Sequence, residues 1–86
     1  MFIKNTALIV PTRNRPKYLR NLLIQIKKLN FNQIIIVDSS DIINKLYVKK
    51  ICKKYSVELF DSLPSTSHQR NIGLNKAKKT NKFIMF

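Results

Sequence analysis

Along the chain, short apolar runs alternate with longer stretches in which apolar residues recur at helical spacing. Thr6 to Val10 ("TALIV"), closed by Pro11, predicts a buried strand. Pro16 then suits the first turn of a helix. Leu19, Leu22, Leu23, Ile26 and Leu29 supply one apolar stripe for it. Ile34 to Val37 is β-branched and apolar without alternation, the pattern of a central parallel strand. Asp41 or Ser40 can cap a second helix, whose buried face is Leu46 or Tyr47 with Val48, Ile51, Cys52 and Tyr55. Val57 to Phe60 predicts a third strand. The polar stretch "DSLPSTS" follows, with Thr66 and Gln69 spaced as a capping box for a third helix. Gly73, Leu74 and Ala77 are expected on that helix's inner face, and Lys82 to Phe86 closes the chain as a fourth strand.

Strand and helix in strict alternation predict an α/β fold with a mostly parallel sheet and right-handed crossovers. No repeat, low-complexity tract or linker interrupts the pattern, so residues 1–86 read as a single domain near the lower size limit for a sheet covered on both faces. A hydrophobic content of 44% argues against disorder, and the apolar runs are far too short to span a bilayer. The N-terminus is interrupted by Lys4 and Asn5 and carries no cleavage signal, and Cys52 stands alone, so a reducing cytoplasm is the expected setting.

The formal charge of +13 invites a nucleic-acid partner. Most of it is lysine on predicted helix surfaces, in a chain also rich in Ile and Asn, the residues of A/T-rich codons. Compositional bias on solvated faces accounts for it. The arginines are placed differently: Arg13, Arg15 and Arg20 cluster after the first strand, and Arg70 lies just before Gly73. Their planar forks suit a phosphate or a base edge.

A single glycine excludes a dinucleotide fingerprint or a P-loop, and one histidine with one cysteine cannot build a zinc site. His68, Ser65, Thr66 and Ser67 read as loop and cap residues rather than catalytic groups, and Cys52 as a small core residue. The remaining chemistry lies at strand ends, where "VPTRNR", "VDSSD" and "SHQRNIGLNKA" are expected to meet. Thr12, Arg13, Asn14, Asp38, Ser39, Ser40 and Arg70 would then surround one crevice. Asp38 has two roles open to it: capping amides of its own turn, or accepting from the imide N–H of a pyrimidine base.

"ALIVPTRNRPKYLRNLLIQI", "IIIVDSSD" and "RNIGLNKAKKTNKFIMF", in this order, resemble the N-terminal half of family 2 glycosyltransferases of the GT-A fold. The resemblance covers nearly the whole chain. It implies a three-layer Rossmann-like sheet of order 3-2-1-4, incomplete here, and a nucleotide-sugar donor, a UDP- or dTDP-sugar. By position it places Pro11, Thr12 and Asn14 at the base-binding turn, with Arg13 also among the nucleotide-binding residues. Asp38 lies against the base, alone or with Ser39, and Arg70 near the base or diphosphate. Many relatives have two acidic residues where this chain has Asp38-Ser39.

The same resemblance implies an acidic motif after Phe86 that carries Mg2+ or Mn2+ in the complete enzyme. Residues 1–86 are then expected to hold no metal, no catalytic base and no transferase activity of their own. An inverting sugar transfer to an acceptor hydroxyl is the implied reaction of the whole. Peripheral membrane association of that enzyme, and self-association through the incomplete sheet, are also expected. A basic nucleic-acid-binding module is the alternative; it would want aromatic residues on an exposed strand face, whereas Tyr18, Tyr47 and Tyr55 fall on helices. A receiver-like domain would need acidic residues where Arg13 and Arg15 stand.

Overall fold

The apolar runs do form strands, and the computed structural model pairs them in parallel; it describes residues 3–77 and 82–85. Strand β1 (Ile3–Thr12) is followed by α1 (Pro16–Ile26) and a short 3-10 turn (Lys27–Leu29). Then come β2 (Phe31–Asp38), α2 (Ile42–Lys54), β3 (Glu58–Asp61), α3 (Thr66–Lys76) and β4 (Lys82–Met85). The chain is thus α/β, with β3, β2 and β1 side by side in one parallel sheet. β4 pairs with β1 on its other side, through Thr6↔Lys82 to Ile9↔Met85. Phe86, expected to complete that strand, lies outside the described residues.

Successive residues of a strand point to opposite faces, and the chain uses both. Leu8 and Val10 of β1 and Ile34 and Ile36 of β2 pack under Leu19, Leu23 and Ile26 of α1 and Val48 and Cys52 of α2. Ile9, Ile35 and Val37 face the other way, where Ile72 and Ala77 join them from α3 and Phe60 from β3. With apolar side chains needed on both faces, β1 and β2 read as unbroken hydrophobic runs. The α1 stripe is as the spacing predicts. Asn30, in the left-handed conformation at φ 54°, ends the turn after it and starts β2.

Two expectations about helix faces and one about a cap are corrected. Leu46 and Tyr47 are both exposed, so α2 buries Val48 and Cys52 and half-buries Ile51 and Tyr55. The core stripe of α2 is narrow because Lys45 takes the inward position one turn earlier. Leu74 is likewise exposed; Gln69, Ile72 and Gly73 face the sheet. The cap of α3 is Ser65, not Thr66: its hydroxyl accepts from the His68 N–H at 3.4 Å, and Gln69 turns inward instead of closing a box.

Gly73 fixes how near α3 can come to the sheet. A Cβ at this position would fall on Ile9 Cγ2, well inside van der Waals contact, and Ile9 is fully buried. We expect Gly73→Ala to destabilise the fold by about 1–3 kcal/mol, the usual penalty of overpacking. Urea unfolding of Gly73→Ala, Ile9→Ala and the double variant tests this. The double variant should lose less than the sum of the singles, because Ile9→Ala removes the methyl that clashes. An additive result would mean that the contact is not what limits the approach.

Candidate functional site

The strand registers bring Thr12, Asp38 and Asp61 level at one edge of the sheet. Backbone bonds extend the pairing one residue further: the Ser39 N–H donates to Thr12 O and the Ser62 N–H to Asp38 O, each at 3.0 Å. The turns after β1 and β2 and the loop before α3 therefore start from one rigid line.

Asp38 is the buried charge of this edge, with 0% exposure. Its Oδ2 accepts from the Ser40 N–H at 3.0 Å and its Oδ1 from the Ser40 hydroxyl at 2.7 Å, closing an Asx-type turn. Lys45, one turn into α2, reaches back to Oδ2 at 2.5 Å and to the Asp38 carbonyl at 2.9 Å. Its remaining proton goes to Asp61 Oδ1 at 2.6 Å, so all three ammonium donors are used. Burial by itself would lower the Lys45 pKa. The hydrogen bonds to Asp38 and Asp61, with the charges of both carboxylates, outweigh it and leave the pKa above 10.5.

The network continues into the first turn. The Ser40 hydroxyl also accepts from the Asn14 N–H at 2.7 Å, and Asn14 Oδ1 accepts from the Asp41 N–H at 2.9 Å. Asn14 sits at φ 53°, a left-handed position that asparagine tolerates better than most residues. Asp41 caps α2 by accepting from the Asn44 N–H at 2.9 Å. From the other face, Gln69 is buried and spends both amide protons on backbone: Thr12 O at 3.1 Å and Val37 O at 2.8 Å.

A cleft of about 270 Å³ opens beside the end of β1, lined by Pro11, Thr12, Arg13, Arg15, Tyr18 and Gln69 among others. The described pairing of β1 with β4 runs from Thr6↔Lys82 to Ile9↔Met85. The Arg15 guanidinium lies over the Tyr18 ring, 5.4 Å from its centroid. Arg13 and Arg70 are exposed and make no ion pair among the described residues. The Ser39 hydroxyl is buried and has no hydrogen-bond partner among them.

Pro11, Thr12 and Arg13 thus line the cleft, as the sequence places them. Asn14 and Asp38 belong to the network behind it, the buried Ser39 hydroxyl is not part of the lining, and Arg70 stands exposed on the second turn of α3 next to Gln69. Of the two roles open to Asp38, capping its own turn is the one seen. The weight carried by Lys45 and Gln69 has no motif to announce it. Gln69 could have been found as the polar residue one turn before Gly73 on the same helix face.

Among the described residues, no group of three or more His, Cys, Asp or Glu side chains could hold a metal ion. The donor set does not suit Mg2+ or Mn2+: the buried carboxylate is already neutralised by Lys45. No helix among them is long and apolar enough to cross a membrane. Compared with family models, curated proteins and solved structures, the chain gives no significant match.

Two predictions follow the charges. Replacing Lys45 by Met leaves Asp38 buried without its cation and should remove about 2–4 kcal/mol of stability in urea. Adding Asp38→Asn should restore part of that loss, whereas a loss below about 1 kcal/mol would mark the pair as solvent-screened. The second concerns alkali. Burial, then the charge of Asp38, pushes the Cys52 thiol from 9.0 up to about 11. The unfolded thiol ionises first, so its contribution to stability is complete below pH 9.0 and lost as pH rises to about 11. Lys45, also raised, contributes fully below 10.5 and is lost above its folded value. The urea midpoint should therefore fall through this range, and less steeply in Cys52→Ala; identical slopes would refute the assignment to the thiol.

Proposed function

We propose that this chain is the nucleotide-binding part of a glycosyltransferase of family 2, with its sheet, in the order 3-2-1-4, an incomplete GT-A sheet. The observation that carries this is the cleft at the end of β1, on the side where the strand order reverses. In open α/β sheets ligands bind in that crevice, outside the carboxyl ends of the strands. The cleft offers an aromatic face at Tyr18, the Arg13 and Arg15 guanidinium groups, and an apolar floor. An aromatic face with two cationic forks beside it suits a nucleoside diphosphate. Its volume, about 270 Å³, is at the small end for a ligand pocket and fits part of a nucleotide-sugar.

Within this reading, Arg13 and Arg15 bind phosphate, with Arg70 at the rim, and Pro11 and Thr12 shape the base-binding turn. The buried, unpartnered Ser39 hydroxyl would have to be uncovered before it could answer a base edge. A direct base contact by Asp38 requires Ser40 to release one carboxylate oxygen; otherwise Asp38 acts by holding Asn14 and the turn in place. The donor is a UDP- or dTDP-sugar, its sugar passing to an acceptor hydroxyl in the complete enzyme. Mg2+ or Mn2+ would neutralise the donor diphosphate there, on acidic ligands other than those described. A reducing cytoplasm is the matching compartment, since Cys52 is a free, buried thiol.

Titration with UDP, dTDP, ADP and an arbitrary RNA oligomer, followed by NMR, tests the proposal. Weak binding, roughly millimolar, is expected for the pyrimidine nucleotides, with shifts at Thr12, Arg13, Tyr18 and Ser39. Arg13→Ala should lower that affinity about tenfold, the loss of one charge-assisted hydrogen bond. Equal binding of the RNA oligomer, with shifts spread over the lysine-bearing faces of α1 and α2, would favour a basic nucleic-acid-binding module instead.

A further inference from the structure

The outer face of α2 carries an apolar cluster that the fold leaves uncovered. Ile42 is 84% exposed and Ile43 70%, and Leu46 and Tyr47 are exposed beside them. All four lie in the first half of the helix, which starts at the same sheet edge as the cleft. A shallow groove of about 470 Å³ between α1 and α2 runs alongside, lined by Pro16, Lys17, Arg20, Asn44, Tyr47 and Ile51. The second half of the same helix face is basic: Lys49, Lys50, Lys53 and Lys54 are all exposed.

Among the described residues, Asp41 caps the start of the helix and Asp61 is paired with Lys45, so neither opposes the lysines of its second half. Branched aliphatic side chains gain little from a polyanion such as RNA, whose bases want flat aromatic partners. They gain much from hydrocarbon, at roughly 1.5–3 kcal/mol for a fully buried Ile or Leu relative to an exposed one. An exposed apolar cluster with lysines beside it suits an anionic bilayer, the aliphatic side chains entering below the headgroups and the ammonium groups staying among the lipid phosphates.

We propose that α2 docks the protein on anionic membranes, with Ile42, Ile43 and Leu46 inserted below the headgroups and Lys49, Lys50, Lys17 and Arg20 among the lipid phosphates. The surface is separate from the cleft, and its occupancy does not depend on what the cleft binds. Docked through the first turns of α2, the molecule holds the edge that carries the cleft close to the bilayer.

Flotation with vesicles of phosphatidylcholine alone, and of phosphatidylcholine mixed with phosphatidylglycerol, tests this on the whole chain. Binding to the mixed vesicles only is expected, weakened but not abolished by raised salt, because insertion is not screened. Replacing Ile42, Ile43 and Leu46 together by Gln keeps helix propensity, leaves the core untouched, and should lower vesicle affinity about tenfold or more. Circular dichroism should be unchanged. Unaltered binding by that variant would reduce the effect to charge alone and overturn the proposal. So would absence of vesicle binding together with a dimer, seen by sedimentation, that the Gln variant makes monomeric; a second copy would then cover the patch.

Discussion

A carboxylate removed from water must find its hydrogen bonds and its counter-charge inside the protein, and the end of β2 is arranged around that requirement. Asp38 closes its own turn through Ser40 and draws Lys45 inward from α2. Because Lys45 divides its three protons between the Asp38 carboxylate, the Asp38 carbonyl and Asp61, it also ties β2 to β3 and α2 to both. Ser40, oriented by the same carboxylate, holds Asn14 in its left-handed conformation, and Asn14 in turn steadies the start of α2. Removing one partner does not delete a single bond; it leaves a buried charge uncompensated and releases a turn. That coupling is what gives three loops from distant parts of the sequence one shared geometry.

The opposite face of the sheet reaches the same edge by another device. Gly73 lets α3 settle onto Ile9, and at that short distance Gln69, one turn earlier, can reach the last carbonyls of β1 and β2. A larger residue at 73 would lift the helix and take the buried Gln69 donor away from those carbonyls. The glycine and the glutamine are therefore one arrangement: the first sets the spacing, the second uses it.

What could be read from the sequence was decided by periodicity, and what could not was decided by long-range polar contacts. The strands at Thr6 to Val10 and Ile34 to Val37 and the stripe of α1 are local patterns, and they stand where expected. The inner faces of α2 and α3 depart from the apolar pattern at Leu46, Tyr47 and Leu74, because inward-turning polar residues, Lys45 and Gln69, occupy positions that an apolar pattern would claim. The cap of α3 was displaced by one residue for the same reason: Gln69, which looks like the far half of a capping box, has buried carbonyls to satisfy. Asp38, Asn14, Thr12 and Arg13 lie at one edge, since parallel strands must deliver their ends together. Their division into a structural network and an open cleft depends on side-chain reach, which spacing does not encode.

The cleft takes its place from the end of β1 and the turn that follows it. The end of that strand is paired to β2 through Thr12↔Asp38, and the side chains of the turn that follows line the opening. There the backbone would be free to move were it not held from behind by the Asp38 network and from below by Gln69. The arginines need no such support: they project from a fixed turn into solvent, and their charges meet no carboxylate because the nearby acids are already committed to Lys45 or to the cap of α2. Positive potential at this edge is thus a consequence of how the acids are spent, more than of how many lysines the chain carries. A chain with the same net charge but a free Asp38 would have a different edge, with its carboxylate and its arginines neutralising one another across the opening.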